Sequence, residues 1–272
     1  MPYLSDAFAS SWRLLRGATS AFFHYQGVTQ AAALSFYAIL AFIPLVFLAL
    51  AVAGLVLGDT QAVRELFDRY KNMVMPELHD ELYNHALRLV ETSAGLGWMS
   101  LGFILWTSGL FFAALQSSLL LPWAREHEHT KGVVRLFLPW ILGPAFGALL
   151  PAAMLAMHVV GYLPWHWLPF HIVHKVGIWF LLGALIFLLY VVLLPRNFPL
   201  LATASLALAI AGGSQLLTLL FVRIFATLPN YALVYGSLAG LALFMLWLEY
   251  NMALILWGGH WVRLWKEQRS AS

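Results

Sequence analysis

Long stretches of this chain carry no formal charge. Asp, Glu, Lys and Arg are absent from residues 17–58, 92–124, 136–174, 176–195, 197–222 and 224–248. Crossing the hydrocarbon core of a bilayer takes about 20 mostly apolar residues, so each window has room for one crossing. Membrane strands fit poorly, because they alternate lipid-facing and lumen-facing residues over about ten positions, whereas these runs are continuously apolar. The windows therefore predict helices. Composition agrees: of 272 residues 62% are hydrophobic and 10% charged, too few charges to clothe a soluble domain of that apolarity.

The expected fold is all-α, a polytopic bundle of six transmembrane helices forming one integral membrane domain over 1–272. The spans fall near 28–57, 98–121, 136–162, 174–194, 199–222 and 232–259. Breakers separate them: Gly58-Asp59-Thr60, Pro122, Pro164 with Pro169, Pro195 to Pro199, and Pro229-Asn230. The window 136–174 also holds the aromatic, His-rich stretch from Tyr162 to His174. A five-crossing arrangement, with 174–194 shallow or re-entrant, is the alternative.

Basic residues set the orientation. With six crossings, Arg13, Arg16, Arg125, Lys131, Arg135, Arg196, Arg263, Lys266 and Arg269 share a side with both termini. Seven acidic residues between Asp59 and Glu91 lie opposite. This bias predicts that both termini lie in the cytoplasm. Two elements should not span. Leu4, Phe8, Trp12 and Leu15 recur at helical spacing and predict a cytoplasmic interfacial helix within 1–27. Residues 59–92, with Val63, Leu66, Phe67, Tyr70 and Val74 on one stripe, predict an extracytoplasmic helical cap; a packed surface connector is the plainer reading.

Few groups can do chemistry. The absence of cysteine removes disulfides, iron–sulfur clusters and thiol nucleophiles. Glu249 stands out, about 25 Å into the sixth span at 1.5 Å per residue. A carboxylate at that depth is costly and should face the bundle interior or a wet cavity. It is either a substrate, ion or proton site, or a protonated Glu hydrogen-bonded between helices. Asn251 follows on a different face. The fifth span adds Thr203, Ser205, Gly212-Gly213-Ser214-Gln215 and Thr218, a pattern for close packing or a local break. The second contributes Thr107, Ser108 and Gln116-Ser117-Ser118, and Pro44 interrupts the first. His127 and His129, and separately His158, His166, His171 and His174, lack a specific metal-ligand spacing. No phosphate-cradling loop or nucleophile elbow occurs. Neither a cofactor, a metal nor a catalytic residue is expected.

The chain resembles the YihY/BrkB family of inner-membrane proteins. The likeness rests on Gln30-Ala31-Ala32-Ala33-Leu34-Ser35-Phe36-Tyr37 leading to Pro44, and on Trp106-Thr107-Ser108-Gly109 with Gln116 and Trp123. Leu194-Pro195-Arg196, Tyr231 through Tyr235-Gly236-Ser237-Leu238-Ala239, and Leu246-Trp247-Leu248 before Gly258-Gly259 complete it. Leu120 and His260 depart from the residues usual in that family, and Glu249 stands where a neutral residue is common.

The resemblance implies a six-helix protein of the bacterial inner membrane, linked to serum resistance and envelope lipid biology. Transport of a lipid-like or amphiphilic molecule is the expected function, with Pro44, Gln116, Gln215, Tyr235, Glu249 and Asn251 as lining candidates. Membrane lipids are the expected partners, with envelope proteins or further copies of the chain; nucleic acid is not. A non-transporting scaffold for envelope assembly is the alternative. A membrane-bound ribonuclease is the remote one, because some relatives carried the label ribonuclease BN. Against it, the cytoplasmic side offers neither a basic groove nor a cluster of metal-binding carboxylates.

Overall fold

The computed structural model describes residues 2–41, 93–126, 138–142, 145, 170–195, 198–226 and 237–271. Every regular element among these residues is helical. Helix α1 (Pro2–His24) turns at Tyr25 and Gln26 into α2 (Gly27–Ala41). Helix α3 (Ser93–Leu120) tightens into a 3₁₀ turn, Leu121–Glu126. A short helical stretch at 138–142 lays the Trp140 ring over Gly109 of α3. Then come α4 (Phe170–Leu193), α5 (Leu200–Ala226) and α6 (Ser237–Ala271).

Four helical segments are long and apolar enough to cross a membrane: Leu105–Trp123, Val176–Leu193, Leu200–Arg223 and Gly240–Ser270. They fall in the windows of the second, fourth, fifth and sixth expected spans. Of the first window, α2 is described to Ala41; of the third, only 138–142 and 145. The remainder of those two windows and the 59–92 cap lie outside the described residues.

Inside lipid no water is available to the backbone, so each segment must bond its own carbonyls and amides, and helices result. Packing then depends on shape. Helices α4 and α5 run antiparallel, and the Trp179 indole donates to the Leu208 carbonyl at 2.9 Å while Gly183 admits the Leu208 side chain. Helix α6 lies antiparallel to α5, pairing Gly258 with Ile210, Leu254 with Gly213 and Asn251 with Ser214. Against α3 it runs parallel, with Gly259 at Leu119 and Lys266 over the Trp123 ring. Tyr190, Leu115, Leu119, Ile210, Leu256 and Val262 belong to the shared apolar core.

The sixth expected span closes near 259, and the helix itself runs on. Helix α6 continues to Ala271 because no residue after Gly259 breaks it, and both glycines serve close packing inside the helix. Its 35 residues reach about 52 Å, well beyond a hydrocarbon core of about 30 Å.

Helix α1 packs across the C-terminal part of α6. Leu14, Ala18 and Phe22 form its buried line, and Gly17 abuts Leu264. Trp12 and Leu15 of the expected interfacial stripe lie off that line and are exposed. Gln26 turns the corner with a left-handed φ of 55°. Gly27 follows because the Phe22 ring fills the place of a Cβ. Gln30 secures the corner by donating to the Tyr25 carbonyl at 2.7 Å.

Candidate functional site

Among the described residues, the densest set of polar side chains inside the apolar helices lies between α5 and α6. The Ser214 hydroxyl donates to Asn251 Oδ1. Asn251 Nδ2 donates to the Trp247 carbonyl at 2.7 Å, and the Trp247 indole donates to Thr218 Oγ1 at 3.1 Å. Thr218 in turn donates to the Ser214 carbonyl at 2.8 Å. The four residues form a ladder of two rungs, built from one i,i+4 pair on each helix. At 1.5 Å per residue, Asn251 lies about 16 Å from Gly240 and Ser214 about 21 Å from Leu200, deep in both apolar segments.

The ladder holds no formal charge. Bonds of this kind between membrane helices contribute about 0.6 kcal/mol each, enough to set register and weak enough to exchange. Asn251 keeps capacity beyond the bonds it makes, since an amide offers two donors and an acceptor with two lone pairs. All four side chains are only partly buried. An incoming hydroxyl, amide or phosphate ester could therefore bond here without displacing an ion pair.

The other lining candidates are dispersed. Gln215 is on the α5 stripe of Leu208 and Gly212, which meets Trp179 of α4. Gln116 is buried on α3 with Phe112, Leu115 and Leu119, one turn before the approach to Gly259. Glu249 is partly buried. Two residues on a helix turn through roughly 200°, so Glu249 occupies the face of α6 away from Asn251 and α5. Pro44 and Tyr235 lie outside the described residues, as do His127, His129, His158 and His166.

In the sequence Ser214 and Thr218 are polar positions only, and nothing there gives Trp247 a site role. The signal was available: 214 with 218 and 247 with 251 repeat at four residues, the spacing of one helix face. Which faces would meet required the packing of α5 on α6.

A second cluster sits where α1 meets α6. The His260 ring stacks on Tyr25 at 5.5 Å and meets the edge of Phe22 at 6.3 Å. His260 is 4% exposed, and its Nδ1 has no hydrogen-bond partner among the described residues. Arg263 donates to the Tyr25 hydroxyl at 3.4 Å and pairs with Glu267 at 2.8 Å. Gln30, Trp123, Gly258 and Gly259, all carriers of the resemblance, converge on this end of the bundle.

The family profile described as Virulence factor BrkB matches residues 19–272, nearly the whole length and every residue of both clusters. The chain belongs to the BrkB family. A BrkB relative from Azotobacter vinelandii (strain DJ / ATCC BAA-1303), named UPF0761 membrane protein, is 26% identical over 248 residues, covering 87% of this chain and 59% of the relative. UPF0761 membrane protein azo3165 from Azoarcus sp. (strain BH72) is 27% identical over 243 residues, covering 84% and 57%. The chain thus spans under three-fifths of the length of these curated relatives. No solved structure matches it. This BrkB chain is a membrane protein whose polar chemistry, among the described residues, concentrates between two helices and at one end of the bundle.

Proposed function

We propose that this BrkB-family protein moves a lipid-like, amphiphilic molecule across the bacterial inner membrane. The observation that carries the reading is the uncharged ladder of Ser214, Thr218, Trp247 and Asn251 within otherwise apolar helices. A polar headgroup can trade hydrogen bonds with the ladder while its tails stay among apolar side chains. A highly charged solute would need counter-charges, because an unpaired ion in this setting is expensive. Six crossings, both termini in the cytoplasm and α1 lying at the interface complete the proposal. The charge-free windows and the bias of Lys and Arg support them.

The test is lipid movement in proteoliposomes carrying a fluorescent phospholipid, with and without an imposed proton gradient. Wild type should translocate label faster than protein-free vesicles. The double variant Ser214→Ala, Asn251→Leu should lose most of that excess. Wild type indistinguishable from empty vesicles under both conditions overturns the proposal and leaves the scaffold reading.

A further inference from the structure

The ladder between α5 and α6 keeps bonding capacity of a particular kind. An amide carries two N–H donors and an oxygen with two lone pairs, and a hydroxyl one donor and two lone pairs. Asn251 uses one N–H on the Trp247 carbonyl and one lone pair on Ser214. Ser214 donates to Asn251, and Thr218 donates to the Ser214 carbonyl while accepting from the Trp247 indole. A single N–H, on Asn251, thus remains among several lone pairs on Ser214, Thr218 and Asn251. All three side chains are half-buried.

A phosphate only accepts hydrogen bonds and would find that one N–H; an ammonium only donates and would leave it unmet. Either charge would also need a partner at this depth. Residues 17–58, 92–124, 136–174, 176–195, 197–222 and 224–248 carry no Asp, Glu, Lys or Arg, so none of these windows can bring one. Glu249 lies on the other face of α6. Arg223 is exposed, and the five residues from Thr218 turn it about 140° off the ladder. A hydroxyl donates and accepts at once and needs no counter-charge. Ser214 and Thr218 stand about 6 Å apart along α5, within reach of two hydroxyls on one sugar ring. Trp247 supplies an aromatic wall beside them, its indole held by Thr218 and by the Phe244 ring stacked on it at 5.8 Å. The electron-rich face of an indole attracts the C–H face of a sugar.

We infer that the ladder receives an uncharged, hydroxyl-rich headgroup: the sugar of a neutral glycolipid. The inference rests on the reading of the ladder as a headgroup site and adds which headgroup it takes. Sugar hydroxyls bond to Asn251, Ser214 and Thr218, the ring lies against Trp247, and the acyl chains stay among the apolar side chains of α5 and α6.

Native mass spectrometry of the protein purified in an amine-oxide detergent, which carries no sugar to compete, tests it. Glucosyldiacylglycerol, phosphatidylglycerol and phosphatidylcholine of identical chains are titrated in turn. Wild type should retain the glucolipid on the order of tenfold more than either phospholipid, the equivalent of about two bonds of inter-helix strength. Ser214→Ala, Thr218→Val and Asn251→Leu should each lose most of that preference, whereas Ser205→Ala, on the exposed side of α5, should keep it. Either phospholipid bound by wild type as tightly as the glucolipid overturns the inference, and so does a preference that all three ladder variants retain. The liposome assay separates the site from transport. Glucolipid bound selectively but not moved keeps the site and removes the translocator; lipid moved without selective binding keeps the translocator and removes the sugar.

Discussion

The hydroxyl of Tyr190 occupies the space that Gly258 leaves by having no side chain. From α4 it passes over the glycine and donates to the Ile255 carbonyl of α6 at 2.6 Å. A Cβ at 258 would collide with this hydroxyl and with Ile210 Cδ1, and one at Gly259 would lie 2.8 Å from Leu119 Cδ2. Three helices thus close on α6 within two consecutive residues.

Gly258→Ala should therefore destabilise the bundle by about 1–3 kcal/mol, the usual cost of forcing atoms into a packed core. Melting of purified protein in one detergent measures it. Adding Tyr190→Phe removes one colliding atom, so the double variant should recover part of the loss. Strict additivity would mean that the two residues do not share this space.

Tyr190→Phe alone should cost little. The Ile255 carbonyl lies within α6 and keeps its helical partner, so only an added inter-helix bond disappears. The expected loss is about 0.6 kcal/mol and below about 1.7 kcal/mol. A larger fall in melting temperature would give the hydroxyl a role beyond that bond.

How far these relationships were legible in the sequence depends on their range. The helices could be read because charge-free runs and proline breakers are local properties. Their faces could be read only in part: the apolar stripe through Trp12 and Leu15 is plain and is exposed, whereas the line that packs on α6, Leu14, Ala18 and Phe22, carries no such mark. In a soluble helix the most apolar face turns inward. Lipid removes that rule, since apolar side chains are satisfied by acyl chains and small residues decide the contacts. For the same reason Gly258-Gly259 is a crossing point. Asn251 stood out as a polar residue in an apolar run, but its partnership with Ser214 required two helix registers at once.

His260→Phe should hold stability constant or raise it by about 1 kcal/mol. The buried Nδ1 has no partner among the described residues, and a buried polar atom without one is a cost that an apolar ring of similar shape does not carry. Phenylalanine preserves the ring contacts with Tyr25 and Phe22. His260→Ala should instead lose about 2–4 kcal/mol by opening a cavity among those rings. If phenylalanine destabilises as strongly as alanine, the imidazole nitrogens carry bonds of their own.

Ser214 and Asn251 should be coupled, and Glu249 should not be. In a cycle of Ser214→Ala and Asn251→Leu the double variant should lose less stability than the sum of the singles, by about 0.6 kcal/mol. Glu249 occupies the other face of α6 and has no partner among the described residues. Glu249→Gln combined with Asn251→Leu should thus be additive to within about 0.5 kcal/mol. The same pair separates two roles in the liposome assay. If lipid movement falls with Asn251→Leu and is unchanged by Glu249→Gln, the path runs along the α5 side of α6. If Glu249→Gln alone abolishes movement, the path lies on the opposite face and the ladder is only a seam between helices.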